Sequence, residues 1–172
     1  MNLLHLASRF VGSLWPLGPR SASTAWAHAA LLEGEQALWN RMSAADRRHS
    51  IGVARRVVEL LGKDRASREI LAAALLHDVG KLESNLGTIR RVLATIAVGL
   101  AGRDAAAAWI ETSGVTRRFG LYAGHPHIGA DMLEMAGSDD LTHTWAREHH
   151  LPADQWTLDL DVATALCEAD ND

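Results

Sequence analysis

The stretch that decides the fold is Leu71–Lys81, LAAALLHDVGK. Its first six residues are alanine and leucine, strong helix formers that would make a helix apolar on every side. Such a helix belongs in the middle of a packed domain. Yet it runs straight into His77 and Asp78, then Gly80, then Lys81, one of only two lysines beside fifteen arginines. A histidine at a helix C-terminus suits the negative end of the dipole, whereas an aspartate there opposes it. A helix places adjacent residues about 100° apart, so both side chains can converge on one point beyond the helix end. Imidazole and carboxylate in that arrangement suit a divalent ion such as Fe, Mn, Co, Ni or Zn.

Outward from this stretch the chain reads as helix after helix. Residues 24–42 carry Trp26, Ala30, Leu31, Leu38 and Trp39 at helical spacing. Ser43 and Asp46 form a capping-box variant that opens a helix with Val53, Val57, Val58 and Leu61 on its inner face. Gly62 ends it. The LAAALL helix starts near Asp64 and runs to Asp78, with Gly80 as a left-handed stop. IRRVLATIAVGLAG, from Ile89 to Gly102, is a buried or dimer-facing helix, and RDAAAAWIE is a short one. HPHIGADMLEMAG has proline at its start and glycine at its exit, and SDDLTHTWAREHH has Ser138 as cap and Pro152 beyond. A last helix begins near Asp159. No segment reads as a strand. The expected fold is an all-α bundle of about seven helices, with an amphipathic N-terminal arm over residues 1–23 and one domain over 24–172.

Composition bounds the function. The 172 residues carry a net charge of −4, which gives no electrostatic support for binding a nucleic acid polymer. No apolar tract is long enough for a membrane span. The single cysteine, Cys167, excludes an internal disulfide and a zinc–thiolate site and suits a reducing cytoplasm. The six tryptophans read as packing rather than as a base-stacking platform.

The remaining titratable residues fall in a telling order. His49 lies in the first turns of its helix, His125 opens HPHIGADML, His149 and His150 close SDDLTHTWAREHH, and Asp170 continues the apolar side of the last helix. With HS-IGVA, LLHDVGK, HPHIGADML, REHH and CEAD in this order, residues 47–170 resemble the HD superfamily of metal-dependent phosphohydrolases. The order is similar to the HD-GYP branch and its shorter HDIG relatives. After His150, however, the chain reads LPADQW, without a GYP stretch. The resemblance therefore carries fold and metal chemistry rather than substrate.

It implies His49, His77, Asp78 and Asp170 as metal ligands, with Asp78 bridging two ions and His125 and at least one of His149 and His150 on the second. It implies hydrolysis of a small phosphorylated substrate, a phosphomonoester or phosphodiester of the nucleotide or cyclic nucleotide class, by a metal-bridging hydroxide. Lys81 would contact the phosphate or protonate the leaving oxygen, and Arg117, Arg118 and Arg147 are phosphate-clamp candidates. Two other readings use the same scaffold: a non-catalytic metal-binding sensor, and a di-iron oxygenase.

Overall fold

The computed structural model describes residues 18–171. Among them no strand occurs, and the helices exceed seven because the element expected over 24–42 is divided and two were unanticipated. In chain order they are α1 Ser21–Ala29, α2 Glu33–Arg41, α3 Ala44–Leu61, α4 Arg68–Leu76, α5 Lys81–Ser84, α6 Thr88–Ala101, α7 Arg103–Ala108, α8 Gly114–Ala123, α9 His125–Met135, α10 Asp140–Glu148 and α11 Leu160–Asn171. The expected arm over residues 1–23 falls largely outside the described residues. None of the described helices is long and apolar enough to cross a membrane.

The all-apolar helix is where its composition puts it. Ala72, Ala73, Ala74, Leu75 and Leu76 of α4 are completely buried. α4 packs against α3 and α10, α10 against α9, and α11 against α3. Trp39, Val57, Leu133, Trp145 and Leu166 fill the space around it. Helices α6, α7 and α8 form a separate group that meets the bundle through α5 and α9 and through the Arg91–Asp46 pair between α6 and α3, and none of their described residues enters that core.

Several boundaries differ from expectation for identifiable reasons. The helix expected over 24–42 breaks at Leu32, whose backbone N–H donates to the Glu35 carboxylate at 2.8 Å. Glu35 is fully buried and also accepts from Arg68 of α4 at 3.3 Å, so a distant arginine draws the acid inward and fixes the break. Ser43 caps α3 as expected, accepting from the Asp46 N–H at 3.1 Å. α4 starts at Arg68 rather than near Asp64, and ends at Leu76. Asp139, not Ser138, occupies the cap position of α10. Gly62 and Gly137 end their helices at φ +80° and +77°. Gly80 does not: its φ is −62°, a right-handed value open to any residue.

Candidate metal centre

The stretch after α4 turns instead of continuing. His77 takes the C-cap position with Asp78, Val79 and Gly80 following in a tight turn. The final carbonyls of a helix have no partner within it. The His77 ring supplies one: its Nδ1 donates to the Ala74 carbonyl at 3.0 Å. His149 does the same at the end of α10, donating to Ala146 at 2.8 Å. His125, the first residue of α9, donates back to the Tyr122 carbonyl of α8 at 2.7 Å. A carbonyl can only accept, so each of these bonds fixes a proton on Nδ1 and turns Nε2 inward as the atom that meets a cation.

All three Nε2 atoms are buried, have no hydrogen-bond partner, and gather around Asp78. His125 Nε2 lies 3.3 Å and His149 Nε2 3.7 Å from Asp78 Oδ1. His77 Nε2 lies 3.4 Å from Asp78 Oδ2 and 3.5 Å from Asp170 Oδ1. Asp170 Oδ1 meets His49 Nε2 at 2.9 Å. The Lys81 ammonium pairs with Asp78 Oδ2. Among the described residues two sets emerge whose ligand atoms lie mutually within 4.8 Å: His49, His77 and Asp78, and His125, His149 and His150. The second set includes both members of the terminal histidine pair, although His149 is buried and His150 exposed.

The electrostatics suit a cation. Burial works against charge on His77, but Asp78 and Asp170 outweigh it and push its pKa up to about 10. Burial, with Lys81 and His149 nearby, outweighs Asp78 at His125 and holds it down to about 4. Burial opposes ionisation of Asp78 as well, yet Lys81 and His77 keep it well below the usual carboxylate range. The two carboxylates demand positive charge between them, and His125 stands neutral at physiological pH, as a ligand must. Buried imidazole nitrogens without partners are costly unless something coordinates them. The donor set therefore fits a divalent metal.

The family model for the HD domain matches residues 47–171. The chain belongs to the HD-domain family. No curated protein and no solved structure matches it. The matched region begins two residues before His49 and ends one residue after Asp170, so the HD domain encloses the whole cluster.

Not every expected residue joins the cluster. Arg147 is half-buried and pairs with Asp131 at 3.6 Å. Arg117 is exposed and Arg118 half-buried on α8. Two contributors escaped the sequence reading. Tyr122 supplies the carbonyl for His125, and its ring centroid lies 5.9 Å from the Lys81 ammonium. Glu148 is buried and accepts from the Thr157 N–H at 2.8 Å and hydroxyl at 2.6 Å, which ties down the segment after His149 and His150. The available signal for Glu148 was its place inside REHH.

Gly80 has a role of a different kind from the one expected. A Cβ there would lie 2.1 Å from the His125 carbonyl oxygen and 2.6 Å from the Gly129 nitrogen. The turn thus rests directly on the α9 backbone, and this approach brings Asp78 to His125. Gly80→Ala should cost about 3 kcal/mol through overpacking, or roughly 6–12 °C in melting temperature, with reduced metal retention on the His125 side. Calorimetry and elemental analysis check it. An alanine variant that melts like the wild type would mean the turn has room to spare.

Proposed function

We propose that this HD domain is a metal-dependent phosphohydrolase acting on a phosphomonoester or phosphodiester of the nucleotide or cyclic nucleotide class, with two divalent transition-metal ions per chain. The observation that carries the reading is the convergence of three unpartnered, buried Nε2 atoms on the Asp78 carboxylate, His125 and His149 at Oδ1 and His77 at Oδ2, where Lys81 also pairs. In this reading His49, His77, Asp78 and Asp170 hold one ion. Asp78, His125, His149 and His150 hold the other. When bound, the pair supplies Lewis acidity to the phosphoryl oxygens and acidifies water to near neutral pH.

The chain's own residues do the rest. Asp78 presents one oxygen toward each set and so fixes the separation of the two. The carbonyls of Ala74, Tyr122 and Ala146 keep the imidazoles in one orientation. Burial disfavours the Lys81 charge, but Asp78 outweighs it and raises the ammonium's pKa. A cation held in that way suits neutralisation of charge on a phosphoryl or leaving oxygen.

The test is elemental analysis after metal-replete purification, followed by assays with simple phosphomonoesters, phosphodiesters, nucleotides and cyclic nucleotides. About two metal equivalents with turnover of one of these substrates is the expected result. Iron-loaded protein that consumes oxygen and hydrolyses nothing would replace this reading with the oxygenase.

A further inference from the structure

The amphipathic character of α6 is inverted relative to a helix packed into a bundle. Ile89 is 65 % exposed, Leu93 52 %, Ile96 55 % and Leu100 85 %, whereas Ala94 on the opposite side is fully buried. Arg91, also on that inner side, is tied to Asp46 of α3 at 2.7 and 2.8 Å. The outer residues are spaced four, three and four apart, the a/d spacing of a two-helix seam. The positions flanking them are Arg90, Val92, Ala97 and Gly99, which include no acidic group and two small residues that let another backbone come close. The four outer side chains leave on the order of 500 Å² of apolar surface in water, most of the roughly 800 Å² that each partner gives to a stable interface.

We infer that α6 is the homodimer interface of this protein, pairing antiparallel with α6 of a second copy. The occupant follows from the charges. Arg90 stands at the helix start, and the described helix carries no basic residue in its last turn. An antiparallel pairing places each Arg90 beside the carbonyl end of the partner helix, where a cation is favoured. A parallel pairing would set Arg90 against Arg90 and align the two dipoles. The same patch then serves both copies, as a two-fold axis requires. Ile89 meets the partner's Leu100, and Leu93 meets the partner's Ile96.

Light scattering and sedimentation of the full chain, from micromolar to submillimolar protein, should give twice the 18.6 kDa chain mass. Leu93→Glu and Leu100→Glu should each return a monomer of unchanged helical content, because within a single chain about half or more of each side chain lies in water. In a Cys167→Ser background, Ile89→Cys and Leu100→Cys proteins mixed under mild oxidation should cross-link to each other, and Leu100→Cys alone should not cross-link. A monomeric wild type, a dimer that survives Leu100→Glu, or self-cross-linking of Leu100→Cys would each overturn the interface. So would a monomer that floats with anionic vesicles through α6, which would assign the face to a membrane surface.

Discussion

Asp78→Asn should strip the protein of bound metal and take hydrolysis below detection while the helical fold survives. The carboxamide has the shape of the carboxylate but no charge, and it cannot bridge two cations. It also brings N–H donors into a pocket where His125 and His149 present unpartnered nitrogens at 3.3 and 3.7 Å from Oδ1. Those donors satisfy the imidazoles, so the apo protein keeps its packing. The cost falls on Lys81, which loses its closest counter-charge; breaking a buried ion pair on one side typically costs about 3–5 kcal/mol. The expected reading is metal content near zero, helical circular dichroism unchanged, and a lowered melting temperature. His125→Ala makes the contrast, because it should empty mainly the His125–His149–His150 side. If the asparagine variant keeps two equivalents of metal, Asp78 is not the bridge.

Lys81→Ala should do the opposite: leave metal content in place and lower kcat by about 10²–10⁴-fold, the range of a positioned proton donor or charge partner. The lysine holds Asp78 from outside the histidine cluster, and its ammonium lies over the Tyr122 ring. Its removal leaves the imidazoles on their backbone carbonyls. Single-turnover kinetics with metal analysis on the same sample separates the two effects. Unchanged turnover would reduce Lys81 to a counter-ion for a buried acid.

The order of the site was legible because every ligand but His49 sits at a helix boundary, and boundaries leave local signals. An apolar run that stops at His77–Asp78, Pro126 after His125, and Pro152 after His149–His150 all mark places where a side chain can leave the helix axis. The carbonyls of Ala74, Tyr122 and Ala146 left no such mark, since every residue has one; only the three-residue offset to a histidine distinguishes them. The break at Leu32 was hidden for another reason. Glu35 lies inside the stretch expected as one helix, and its burial depends on Arg68, thirty-three residues on. Gly80 was read for its backbone freedom, whereas its lack of a side chain is what matters, and the neighbour that requires it is some forty-five residues away. The α8 helix was missed because Gly114 and Gly120 weaken its pattern; the latter presses on the backbone of Trp109 and Ile110. Local rules place ends of helices, and contacts between distant segments decide which groups those ends meet.

His49 and Asp170 touch across 121 residues of chain. Bringing such remote segments together carries a large loop-closure entropy, so this contact forms late and depends on the contacts that form before it. During synthesis, no partial chain that stops short of residue 170 possesses the His49–His77–Asp78–Asp170 set. Metal capture on that side therefore reports a finished domain, and a half-made HD domain is spared from gripping an ion in the wrong company. In a refolding experiment, uptake of the first ion should track the slowest phase of α11 docking rather than the early gain of helix.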